Sequence, residues 1–110
     1  MKSITLYHAK NPFWLTDASI QADGDLRITS GDADNEWSKV VPAERKPMLL
    51  GALLNHVTLD YLPSEATDDQ LLRALSAMFA GNTNPYEDFK AFLERYAIPA
   101  EDSNWLWSGD

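Results

Sequence analysis

The feature that most constrains this chain is a change of period at Pro42. Before it, apolar residues alternate, the repeat of a strand with one buried face. After it they recur every three or four positions, the repeat of a helix with one buried stripe. Strands first and helices afterwards cannot supply the alternating βαβ units of a parallel sheet. They give an α+β fold: an antiparallel sheet of about four N-terminal strands, with three C-terminal helices packed on one of its faces. No repeat, linker or low-complexity stretch divides the 110 residues, so a single domain spans 1–110. At this length one core buries roughly two-thirds of the surface that the unfolded chain exposes, enough to hold the fold without disulfides. The chain has no cysteine to make them.

The strand half can be read to the level of register. Ile4-Thr5-Leu6-Tyr7-His8 alternates, Asn11-Pro12 breaks it, and Phe13-Trp14-Leu15 opens the next extended segment. Two hairpins compete around Asp23-Gly24. A two-residue type I′ turn pairs Gln21 with Leu26 and throws the apolar residues of the two strands to opposite sides. A three-residue loop, Ala22-Asp23-Gly24, sets Ile20 opposite Leu26 and Ala18 opposite Ile28, and places Gly24 at the left-handed position of a bulge. Register follows the buried face, so the three-residue loop is expected. An acidic turn from Gly31 to Asn35 then leads to a strand over Glu36 to Val41, with Trp37, Lys39 and Val41 on one side.

Three helices follow. Pro42 begins a short turn, and a helix runs from Pro47 to Asn55 with Met48, Leu49, Ala52, Leu53 and His56 along one side. Thr67 as N-cap with Gln70 forms a capping box, Asp68 and Asp69 suit the positive helix end, and Gly81 suits its termination; the stripe is Leu71, Leu72, Leu75, Met78 and Phe79. The last helix opens at Asn84-Pro85-Tyr86-Glu87, buries Phe89, Phe92, Leu93 and Tyr96, and stops at Ile98-Pro99. The tail Trp105-Leu106-Trp107 is too apolar to stand in water and is expected to return and pack.

Charge bounds the function. Nine Lys and Arg stand against 17 Asp and Glu, a net of −8. Through Leu50 the balance is six basic to seven acidic, and from Gly51 onward it is three to ten. Such a chain repels nucleic acid and anionic membranes, whose binding depends on neutralising phosphate. It steers cationic partners instead. Direct nucleic-acid or membrane partners are therefore not expected. No secretory leader or membrane-spanning run is visible, and a cytoplasmic protein, monomeric or weakly dimeric, is the expectation.

Catalytic equipment is sparse. His8 ends a strand and His56 ends a helix, and neither belongs to a nucleophile, phosphate-loop or metalloprotease motif. Asp32-x-Asp34-x-Glu36 imitates the start of a calcium loop, but the sixth position is Trp37 where glycine is needed and the twelfth is Ala43 where a bidentate glutamate is needed. No cofactor, metal site or catalytic residue is expected. Two segments instead combine acids with an aromatic: Asp32, Asp34 and Glu36 beside Trp37, and Glu101 and Asp102 ahead of Trp105. Carboxylates that steer and a tryptophan that anchors are what a protein interface uses. Each tryptophan also reads as a core residue. A third acidic stretch, Asp60 to Asp69, reads as a solvated loop and helix start.

The whole pattern resembles a known family. Leu6-Tyr7-His8, Ile28-Thr29-Ser30-Gly31-Asp32, Glu36-Trp37, and Val41-Pro42-Ala43-Glu44 leading to Leu49-Leu50-x-x-Leu53-Leu54 make one part of the likeness. The closing Phe89-x-x-Phe92-Leu93 helix, Ile98-Pro99 and a late tryptophan make the other. Together they resemble the small bacterial immunity proteins of contact-dependent inhibition and related polymorphic toxin systems. The resemblance implies a cognate toxin C-terminal domain, often an RNase or DNase, that is held tightly and kept from its substrate. A nuclease is basic where it meets phosphate, so an acidic inhibitor suits it. The expected function is thus neutralisation of a basic toxin domain, with Asp32, Asp34, Glu36, Glu101 and Asp102 as complementary charge and Trp37 or Trp105 as anchor. A regulatory or structural interaction module, an antitoxin without a DNA-binding arm, and a small enzyme built on His8 or His56 are the alternatives.

Overall fold

The structure is a computed structural model that describes residues 2–10, 13–32, 34–58 and 67–106, the last four of these by backbone alone. The Asn11-Pro12 break, the acidic stretch from Asp60 up to Thr67, and Trp107 lie outside the described residues. Strands β1 (Lys2–Lys10), β2 (Phe13–Ile20), β3 (Leu26–Gly31) and β4 (Asn35–Val41) come first. A 3₁₀ turn (Ala43–Arg45) and helices α1 (Lys46–Leu54), α2 (Thr67–Phe79) and α3 (Pro85–Arg95) follow, and β5 (Glu101–Leu106) closes the chain. The sheet order is β1-β2-β3-β4-β5, antiparallel throughout.

The fold is α+β, as the change of period implies, with one strand more than expected. The exposed edge of β4 carries unpaired backbone donors and acceptors, and residues 101–106 satisfy them by pairing Val40 with Glu101 through to Asn35 with Leu106. Asp102, Ser103 and Asn104 are weak strand formers, so the edge on offer outweighs local propensity.

The second hairpin has the three-residue loop. Ile20 faces Leu26 and Ala18 faces Ile28. The Gly24 amide donates to Gln21 O at 2.9 Å, and Gly24 sits at φ 94°, a conformation that a side chain resists. Alternation along β2, β3 and β4 then sorts the residues. Ala18, Ile20, Leu26, Ile28 and Val41 form a buried face that packs with Leu49, Leu53, Leu71, Leu75, Phe79, Phe89 and Phe92 of the helices in one core. Within this layer the hydroxyls of Thr16 and Ser30, both buried, satisfy each other at 2.8 Å.

Helix α1 differs from expectation in its stripe. Leu49, Ala52 and Leu53 are buried, whereas Met48 is 47% exposed. One residue before Leu49, it is turned about 100° round the helix and off the core. Thr67 is already helical in α2, so the helix begins slightly ahead of the expected cap. The start of α3 is as expected: Asn84 Oδ1 accepts the Glu87 amide at 3.3 Å and Pro85 opens the first turn. It ends with Ala97 at φ 53° while the Ile98 amide donates to Leu93 O at 2.9 Å. Among the described residues no helix is long and apolar enough to cross a membrane.

Candidate functional site

Strand β4 places consecutive residues on opposite faces of the sheet, and this divides the candidate residues between two surfaces. Both reach the sheet end that carries the β3–β4 turn, and the first runs on along β2 to Ser19 and Gln21 at the far end. On the face without helices, Glu36 joins Phe13, Leu15, Asp17, Arg27 and Asp32 around a shallow cavity of about 300 Å³. On the helix-bearing face, Trp37 and Asp102 join Trp14, Tyr86, Glu87 and Lys90 around a slot of about 390 Å³ between the sheet end and the first turns of α3.

The turn joining β3 to β4 is tightly specified. A side chain on Gly31 would meet Asn35 O at 2.2 Å and Glu36 Cα at 3.0 Å, so only glycine lets β4 fold back here. Asp32 Oδ1 accepts the amides of Asp34 and Asn35, each at 2.8 Å. These two bonds, that from Asp34 foremost, hold the Asp32 carboxyl below its ordinary range. Asp32 is thus first a turn-forming residue, and Asp34 and Glu36 present the exposed carboxylates of the segment.

Asp17 is the acid that sequence reading missed. It stands one strand position from Leu15 on the open face, and its carboxyl is pushed up from 3.8 by partial burial and then by the negative charge of Glu36. Phe13, 42% exposed, lines the other end of the same cavity, its ring edge-on to His8 with centroids 5.8 Å apart. The open face therefore combines apolar surface with carboxylates that raise one another's energy.

In the slot, Trp14 and Trp37 stack with ring centroids 5.9 Å apart and planes 26° from parallel. Trp37 is also partly buried and packs on the edge of the core, the role expected of it as a core residue. Lys90 Nζ lies 5.8 Å from the centre of the Tyr86 ring and 3.6 Å from Glu87. Lys39 Nζ bonds Asp102 Oδ1 at 2.6 Å, and this bond, with help from the charge on Lys90, holds the Asp102 carboxyl low. The Tyr86 phenol is pushed up to about 12 by burial and by the charges of Asp102 and Glu87.

Comparison with family models, curated proteins and solved structures finds no match.

The remaining candidates are dispersed. The backbone of Trp105 pairs with Glu36, next to the acidic turn, whereas Glu101 pairs with Val40 four residues along, roughly 13 Å away. The two acid-plus-tryptophan segments are therefore interleaved by antiparallel pairing. Trp105 comes to the Asp34–Glu36 end, Glu101 lies toward the other, and Asp102, opposite Lys39, stands between them beside the slot. Acids of the third stretch serve the fold: Asp68 binds Lys46 at 2.8 Å and Asp69 binds Lys2 at 2.9 Å. His8 belongs to the open face, while His56 Nε2 is bonded to the Tyr96 hydroxyl beside α3, so the two histidines do not meet. Among the described residues no three His, Asp or Glu side chains gather as a metal site.

A register argument reaches Trp14 from sequence. Pairing Thr16 with Ser30 and Ser30 with Trp37 puts Trp14 diagonal to Trp37 on one face. Tyr86 and Lys90 carry no such signal, because the packing of α3 across the sheet brings them in.

Proposed function

We propose that this chain is an immunity-type inhibitor that binds and neutralises a basic toxin domain, one that cleaves RNA or DNA, and that it acts by occupying a surface rather than by turnover. The observation that carries this reading is that Phe13, Asp17 and Glu36 line one face of the sheet and the Trp14–Trp37 stack stands on the other, with the exposed Asp34 in the turn between β3 and β4. Apolar anchors surrounded by negative charge suit a partner whose own surface is basic and partly apolar. The net charge of −8 favours such encounters at long range.

The mechanism is competition for a positively charged cleft. A nuclease positions phosphate with Lys and Arg, and a carboxylate array on a rigid strand end offers those side chains an alternative set of acceptors. Because β2, β3 and β4 are held by continuous antiparallel ladders, the acids on them need little ordering on binding, which limits the entropic cost.

The test is co-expression with the variable C-terminal domain of a large secreted protein encoded beside this chain. The expected result is survival of cells that otherwise succumb to the toxin, recovery of a 1:1 complex, and an association rate that falls about tenfold or more between low and physiological salt. A complex whose contact surface on the partner is acidic, or purification of a small-molecule turnover with this chain, overturns the reading.

A further inference from the structure

We infer that the slot formed by Trp14, Trp37 and Tyr86, closed at its sides by Glu87 and Asp102, is a receptor for a single arginine side chain of the protein partner. This rests on the inhibitor reading and deepens it by naming what the partner inserts. The slot is concave, at about 390 Å³, and falls in the size range of side-chain and small-ligand sites, roughly 300 Å³ upward. Two of its walls are stacked indoles and a third is a phenol. Aromatic faces attract cations, tryptophan most strongly.

The protein already places a cation there. Lys90 lies over the Tyr86 ring and beside Glu87, and its charge is also felt at Asp102. Its side chain is 35% exposed, so it occupies the mouth and not a sealed interior. The Tyr86 phenol is harder to ionise because of its burial and, after that, the charges of the two carboxylates, the same charges that attract Lys90. A partner's guanidinium replaces Lys90 at the mouth, and Lys90 swings to solvent.

Arginine fits better than lysine for a geometric reason. A guanidinium is planar, so it can lie against the Trp37 indole while its edge donates to Glu87 or Asp102. An ammonium is compact, strongly hydrated and unable to stack. The stacked tryptophans offer a flat wall, and the carboxylates of Glu87 and Asp102 line the same slot.

The experiment uses the full chain and two capped tripeptides, Gly-Arg-Gly and Gly-Lys-Gly, titrated at constant ionic strength while the indole N–H signals of Trp14 and Trp37 are followed by NMR. The expected result is saturable movement of both signals with the arginine peptide in the millimolar range, and at least fivefold weaker binding of the lysine peptide. Lys90→Gln is expected to tighten the arginine peptide severalfold by vacating the mouth. A slot that is only structural shows no such gain. Trp37→Leu is expected to abolish the response. Equal shifts with both peptides, no saturation, or weaker binding in Lys90→Gln overturn the inference, and the last does so even if Trp37→Leu fails to fold. Because the probe is a peptide, the slot stands or falls apart from the partner: an arginine response without toxin binding sinks the inhibitor reading alone, and toxin binding without an arginine response sinks the slot alone.

Discussion

The two faces of the sheet use the same residue types for opposite ends. On the helix side, lysines pair with acids: Lys46 with Asp68, Lys2 with Asp69 and Lys39 with Asp102 across the fold, and Lys90 with Glu87 one turn away on α3. On the open side, Asp17 and Glu36 lie close enough that one raises the pKa of the other. Aromatics divide in the same way, with Phe89 wholly enclosed and Phe13 left in water. The difference teaches that the helix side is arranged for stability. The open side leaves Phe13 in water and sets Asp17 where the charge of Glu36 disfavours its ionised form, and exposed apolar surface beside unfavourable charge is a common mark of an interaction site.

The largest effect that can break this comparison is the exchange of its two phenylalanines. Phe89→Ala removes a fully buried ring that touches Phe79 edge-to-face at 5.8 Å, and should cost about 3–5 kcal/mol, a large share of the stability of a domain of this size. Phe13→Ala should cost less than about 1 kcal/mol in urea denaturation, yet, on the proposed inhibitor reading, weaken binding of a toxin domain about tenfold or more. Equal losses of stability at the two sites would mean that the open face is as much a part of the core as the covered one.

The ion pairs sharpen the contrast at a smaller scale. Lys46 is largely buried, bonds Asp68 and lies close to the Gly24 loop, so Lys46→Ala is expected to lower stability by about 1 kcal/mol, the upper end for such pairs. Lys2 and Asp69 are both well exposed, and Lys2→Ala should lie within about 0.5 kcal/mol of the parent. Denaturation at low and high salt separates them further, because only the exposed pair is readily screened.

How much of this was legible beforehand follows from how local each determinant is. The hairpin register could be read because one slip would expose Ile20 or Leu26, both buried, and nothing distant enters that choice. The start of α3 was legible for the same reason, since Asn84, Pro85 and Glu87 act on one another. Strand β5 was not, because what makes Glu101–Leu106 extended is the edge of β4, some sixty residues earlier in the chain. Ala97 hid the end of α3 in another way: it adopts a conformation usually left to glycine, held by the bond from Ile98 to Leu93. The candidate site was half legible. Glu36 and Trp37 were found as neighbours in sequence, but that they serve opposite faces, and that Asp17 and Tyr86 are their true companions, depends on strands and a helix meeting across the sheet.

The finest test of the comparison is a single carboxyl. Asp17 is raised on folding, so its contribution has a fixed sign. Below 3.8 the carboxyl is protonated in both folded and unfolded chains and folding gains or loses nothing by it. As the pH rises past that value, the unfolded chain ionises while the folded one resists. Stability is lost through this window and the loss is complete once folded Asp17 has ionised. Asp17→Asn should therefore stabilise the chain near neutral pH by only about 0.3 kcal/mol, because the half-exposed site is screened by solvent and Glu36 lies two strands away, and the gain should vanish in acid. Asp32 runs the other way: its carboxyl is lowered by the turn amides, so its help to the fold is present above the ordinary carboxylate range and disappears as pH falls. If Asp17→Asn stabilises the free chain and also weakens the toxin complex, the repulsion between Asp17 and Glu36 is a cost of keeping charge for a cationic partner. Stabilisation with unchanged binding would instead make that charge incidental, and the contrast between the two faces would then rest on Phe13 and the tryptophans alone.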